Sequence, residues 1–197
     1  TLKAIHEFGA ELPQECVAIT GHELQSVQFF IIFNVPSYQG WVDRQSAVPA
    51  LQFHRRFLQH LQSEHKGEHW VLKTPGHLAV IEDLLEVYPD ACIVQTHRDP
   101  LEVVGSACSL CATVRPIYSE AVDGRRVADM LMETFDQMIA RQQAYRDQHG
   151  ADAIFDISEK SGLSTMTTKN AVVAPEADSA MNCRILMPTI IMNRRLE

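Results

Sequence analysis

Two short stretches bring together side chains that could hold an anion and move a proton. In THRDPLEVVGS, at 96–106, Arg98 precedes Asp99-Pro100, and Ser106 follows it by eight residues. Asp99 is a good helix N-cap, Pro100 suits the first helical position, and Glu102 sits in the first turn, where the helix dipole favours negative charge. Arg98 is therefore expected at the mouth of a helix, with Ser106 two turns along it. A guanidinium fork and a hydroxyl beside the carboxyl end of a strand make a plausible phosphate site. The second stretch is KTPGH, at 73–77. Lys73 would end a short apolar strand, and His77 would sit in the first turn of the next helix. The positive end of that helix disfavours an imidazolium, so the His77 pKa should fall and the ring stay neutral. A neutral histidine near a cationic pocket can accept a hydroxyl proton. The plainer alternative makes Lys73 a solvated strand end and His77 a decoration of a helix start.

The elements that must position these groups alternate along the chain. A helix is expected over about 12–33, broken by the turn signals Asn34, Pro36, Ser37 and Gly40. A second runs over about 50–63, with His54, Phe57, Leu58 and Leu61 inward and Arg55, Arg56 and Gln59 outward. Trp70-Val71-Leu72 reads as a buried strand, and Thr74-Pro75 opens a helix that Pro89-Asp90 stops. A strand at 91–95 then leads into a helix at 99–113. After a loop, a helix spans about 125–148, and 154–157 reads as a last strand. Strand, helix, strand, helix from 70 to 113 predicts a parallel sheet, with Lys73 and Arg98 leaving the same edge. From 158 onward the composition shifts to Ser, Thr, Ala, Met and Asn, with one apolar patch at 185–191 that suits either strand or helix. A loosely attached tail is expected there.

Composition sets the outer limits. With 197 residues, 46% hydrophobic and 21% charged, the chain suits one α/β domain with a substantial core. A formal charge of -8 argues against non-specific nucleic-acid binding, which needs a basic face. The longest apolar run, FFIIF at 29–33, is too short to span a bilayer, and no signal peptide opens the sequence. Five cysteines without a dense framework point to a reducing compartment, and a cytoplasmic location is expected. Cys108 and Cys111 form a CxxC, yet with Val104 they fall at i, i+4 and i+7, the spacing of core packing. The nine histidines show no ligand spacing, so no metal is expected.

WVLKTPGHL at 70–78, followed by EVYPDACIVQTHRDPLEVVGSACSL at 86–110, resembles the bacterial-type sulfotransferase family and, more distantly, the cytosolic sulfotransferases. HEFGAELPQEC at 6–16 and SYQGWV at 37–42 are similar to pieces of the bacterial branch, so the resemblance covers about 5–157. It implies transfer of a sulfuryl group from 3′-phosphoadenosine 5′-phosphosulfate (PAPS) to a hydroxyl or amine of a small-molecule, lipid or glycan acceptor. It also implies a P-loop-NTPase-like parallel sheet flanked by helices. Arg98 and Ser106 match the family's 3′-phosphate motif in type and spacing. Lys73 would be a charge near the sulfonate, and His77 the candidate base, with Glu7 or Glu15 as equal candidates. Phe29, Phe30, Tyr38, Trp41 and Tyr118 could line an apolar acceptor pocket, although aromatic residues at such positions are more often core.

The departures from the family bear on activity. No GxxxxGK[ST] or RSGTT-like segment occurs, so the loop that would cradle the 5′-phosphosulfate is missing. Ile157 gives way to SEKSGLSTMTT, unlike the family's continuation. The expected layout is an incomplete sulfotransferase-like domain at 1–157 and a divergent, poorly ordered tail at 158–197. Loss of the central strand would expose a sheet edge and favour homo-oligomers. A catalytically inactive nucleotide-binding or interaction module is the alternative. A P-loop kinase relative is disfavoured by the lack of a Walker lysine motif.

Overall fold

The computed structural model describes residues 14–64, 68–158, 186–192 and 196. The candidate base Glu7 lies outside them. Four strands form one sheet in the order β1 (Trp70–Lys73), β4 (Leu186–Met192), β2 (Ala91–His97), β3 (Phe155–Ser158). β2 and β3 pair in parallel, whereas β4 runs antiparallel to both of its neighbours. Trp70 and Ala91 both lie opposite Met192, so β1 and β2 point the same way with one strand between them.

Of the apolar patch that suited either strand or helix, residues 186–192 are a strand with a ladder on each side. The rest of the stretch expected as a tail lies, apart from residues 158 and 196, outside the described residues. β4 fills the slot between β1 and β2. β1 pairs with β4 only from Thr189 onward, so Pro188 lies just past the end of β1 and opposite Gln95 of β2. That is where an interior strand best tolerates a residue without an N–H. Beyond β4, the backbone N–H of Leu196 donates to Gln62 Oε1 at 3.3 Å, and Trp70 Nε1 donates to the same oxygen at 3.1 Å.

The helices pack as their apolar spacing dictates. α4 (Val48–Glu64) buries Leu51, His54 and Leu58, one turn apart on one face. After β1, a 3-10 helix (Pro75–Val80) runs into α5 (Ile81–Val87), which sinks Ile81 and Leu84 into the core. α6 (Pro100–Val114) and α7 (Gly124–His149) carry the chain from β2 to β3. The Asp123 carboxylate caps α7 through the N–H groups of Arg125 and Arg126, and Gly150, at φ +95°, ends it. The main core joins Leu51, Leu72, Leu84, Ile93, Met138 and Ile154; a smaller one holds Phe30, Cys111, Val127 and Leu131. Cys111 is thus packing, as its spacing predicted.

The single helix expected over 12–33 is instead two short ones, α1 (Val17–Thr20) and α2 (Gln28–Ile32). Leu24 adopts a left-handed conformation at φ 58°, and the Ser26 hydroxyl bonds back to the Val17 carbonyl at 3.0 Å. The chain therefore folds over at Gly21–Glu23 rather than continuing. Pro36, read as a breaker, sits at the start of α3 (Pro36–Val42), where its fixed φ suits a first turn.

Candidate functional site

Arg98 follows β2 directly and precedes the α6 cap. The Asp99 carboxylate accepts the N–H of Leu101 at 2.8 Å, and Pro100 takes the first helical position. The Arg98 side chain is 40% exposed and contacts Glu102 at 3.8 Å, a solvent-facing i, i+4 pair that an arriving dianion can displace at small cost. Ser106 lies exposed on α6, eight residues on. Arg98 thus stands at the mouth of α6, and Ser106 lies about two turns along it.

Lys73 ends β1 on the same edge of the sheet. The register sets it level with Val94, both opposite Thr189, so β2 runs three residues further to His97 before Arg98 emerges. Two strand spacings, roughly 10 Å, separate β1 from β2 across β4. Lys73 Nζ is paired with Glu15 Oε1 at 2.6 Å, and the Lys73 carbonyl accepts the N–H of Cys16 at 3.0 Å. Glu15, a candidate base on sequence grounds, is thus the counter-ion of Lys73.

His77 is in the first turn after β1, as expected. Thr74 Oγ1 accepts the N–H of Gly76 at 3.4 Å and caps that turn. The turn lies tight against α2: a Cβ on Gly76 would fall 2.8 Å from Val27 Cγ1. His77 is buried, and neither ring nitrogen has a hydrogen-bond partner. Its pKa is pushed down to about 3, first by burial and then by the neighbouring His54. The ring is neutral, as the sequence predicted. The cause differs, because desolvation rather than the helix dipole sets the shift. His54 stands edge to face with it at 6.3 Å between ring centroids and shares a 2.6 Å contact from Nδ1 to the Tyr88 hydroxyl. A cavity of about 120 Å³ is lined by Thr74, Gly76 and His77 and by Gln39 and Val42 of α3. Phe30 also lines it. Phe29, Tyr38 and Trp41 instead form a run of ring contacts that Phe33 extends to Tyr118, with Trp41 and Tyr118 exposed.

A polar cluster behind β2 escaped the sequence reading: Gln95, His97, Asp156, Gln142 and Arg146. Burial would raise the Asp156 carboxyl pKa, but the His97 hydrogen bond and the Arg146 charge outweigh it and hold the group below its ordinary value. The signal that could have found this cluster is the pair of polar residues, Gln95 and Asp156, inside two predicted core strands. Among the described residues, no group of three or more His, Cys, Asp or Glu is arranged to hold a metal ion, and no helix is long and apolar enough to cross a membrane.

Comparison with known proteins gives one family and two structures. The model of the sulfotransferase family matches residues 1–158. The crystal structure of sulfotransferase STF1 from Mycobacterium tuberculosis H37Rv superposes with a TM-score of 0.71 at 31% identity, covering 81% of this chain and 44% of that one. Sulfotransferase STF9 from Mycobacterium avium gives 0.69 at 27% identity, covering 74% and 38%. The chain thus spans less than half the length of either. No curated protein matches the sequence.

Proposed function

The chain belongs to the sulfotransferase family, and from that premise we propose that it binds the 3′-phosphoadenosine end of PAPS and serves sulfuryl transfer to a hydroxyl or amine. The observation that carries this reading is the Arg98 fork beside the capped start of α6, with Ser106 two turns along it. Arg98 takes the 3′-phosphate bidentately and Ser106 adds a second donor. Lys73, on the same edge, faces the sulfonate end and offsets charge as the phosphate departs. The bound donor supplies a sulfuryl group on a phosphate leaving group. The chain's part is to orient that group against the acceptor oxygen or nitrogen and take the acceptor's proton. His77 is the proposed base, in the correct protonation state for that step. Its place on the cavity wall suits an acceptor whose reacting group enters from α3. The acceptor class is a small molecule, a lipid or a glycan.

One observation favours binding without turnover. β4 runs against β1 and β2, so at their carboxyl edge the middle of the sheet offers the start of a strand instead of a strand feeding a helix. The fan of N–H groups that a phosphate loop would supply there is not built by this strand. Titration calorimetry with adenosine 3′,5′-bisphosphate tests the common part of both readings. The parent chain should bind it, and Arg98→Ala should weaken binding at least a hundredfold. Equal affinity in the two proteins would remove Arg98 from the site. Turnover of PAPS with hydroxyl acceptors then separates the enzyme from the binding module.

A further inference from the structure

The glycine of the KTPGH stretch serves space and not conformation. Among the described residues the glycine with positive φ is Gly150, so the backbone at Gly76 does not itself require glycine. Its neighbour does. A Cβ built on Gly76 would lie 2.8 Å from Val27 Cγ1 and 3.5 Å from Val27 Cγ2. Carbon–carbon contacts settle at about 3.5–4.0 Å, so a methyl here would drive the start of α2 away by roughly an ångström. Val27 does not turn aside at low cost, because a β-branched side chain is stiff at χ1.

Both residues line the cavity that has His77 on its wall. Phe30, about one turn along α2 from Val27, lines it too, so the seat of Val27 on Gly76 sets how far this helix stands from the turn carrying His77. Leu51 and Met138 add further buried apolar surface. Two of the buried polar side chains on the wall are already committed: the Ser26 hydroxyl donates to the Val17 carbonyl at 3.0 Å, and Thr74 Oγ1 accepts the N–H of Gly76 at 3.4 Å. The charged lining residues, Asp43 and Arg141, are exposed. A guest with many hydroxyls would leave most of them unpaired in the buried part, which is costly. An apolar cavity of about 150 Å³ takes up one benzene, and this one measures about 120 Å³.

We propose that the contact between Gly76 and Val27 is the gauge of the acceptor site. The missing Cβ lets α2 seat on the turn after β1, and the cavity so closed admits compact, largely apolar alcohols or amines the size of a single ring while excluding larger ones. Gly76 and Val27 determine specificity by shape and take no part in proton transfer. This rests on the reading of the cavity as the acceptor site, and it narrows the acceptor to the small-molecule class.

NMR titration of the full chain with phenol and with 2-naphthol tests the gauge, with adenosine 3′,5′-bisphosphate as a control ligand. The parent should prefer phenol at least tenfold. Val27→Ala removes both methyls from the wall, and Gly76→Ala pushes α2 outward; each should bring the preference close to unity. In the double variant the new methyl takes the space the valine methyls left, α2 seats again, and the preference should return to within about threefold of the parent. Two changes that merely loosened the fold would add instead. If Gly76→Ala does not fold, Val27→Ala against the double variant decides. Affinity for the bisphosphate should hold constant across the series; a loss that tracks the loss of phenol would overturn the gauge. So would an unchanged preference in Val27→Ala, a double variant no more selective than Val27→Ala, or a parent that binds both alcohols alike. A parent that binds the bisphosphate but neither alcohol would overturn the acceptor reading of the cavity and the gauge with it.

Discussion

His54 and His77 are buried side by side, and burial lowers their pKa values to about 4 and about 3. In the unfolded chain both titrate near 6.5. Below that pH the unfolded state takes up protons that the folded state refuses. The stability tied to their neutrality is therefore complete above pH 6.5 and is lost progressively as pH falls toward 4 and then 3. Each histidine can cost up to about 1.4 kcal/mol per pH unit within its window. Urea unfolding at pH 7 and pH 5 should show a drop of about 4 kcal/mol, and His77→Leu should flatten the acid slope. Identical slopes in parent and variant would assign the acid sensitivity to other groups. For the role proposed for His77, so low a pKa means that the ring can take a proton only where a developing negative charge beside it stabilises the imidazolium.

At the scale of elements, α6 and α7 start in the same way, each with an aspartate side chain closing the first turn. Asp99→Ala and Asp123→Ala should each cost about 1 kcal/mol of stability. Only the first should weaken binding of adenosine 3′,5′-bisphosphate, because Asp99 adjoins Arg98 whereas Asp123 lies at the far end of the α6–α7 connection. Thermal melts paired with calorimetry would show the split, and equal ligand affinity in both variants would detach the α6 start from the site. Much of this level was legible in the sequence. Asp99-Pro100, Thr74-Pro75 and the apolar spacing of α4, α6 and α7 are local signals, and local signals survive into the fold. The segment around Leu24 was not legible, since its course depends on Ser26 reaching Val17 and on a tight seat over Gly76. Nor was the Arg146–Asp156–His97 run, whose members come from three elements and meet only once α7 docks. The Arg98 and Lys73 ends could be placed on one edge from the βαβ pattern alone. That His77 would lose both hydrogen-bond partners could not, because burial is a property of the whole core.

For the whole molecule, the sheet depends on a strand drawn from beyond β3. Removing residues 159–197 would leave β1 and β2 facing an empty slot, each with a row of unpaired N–H and C=O groups. The shortened chain should elute in gel filtration as associated species and melt without the parent's cooperativity. A monomer with an unchanged melting temperature would show that β4 adds nothing to the fold. The interior position of β4 also bears on the order in which the molecule can be assembled. Trp70 waits for a partner more than a hundred residues away, and so does Ala91. A chain emerging from the ribosome has β1, β2 and β3 in hand well before the strand that joins the first to the others. Until then its helices can form and its core can collapse, but the sheet exists in two separate parts. Closing it is a long-range and therefore slow event. The nascent protein passes through a stage in which its two most adhesive edges are open together.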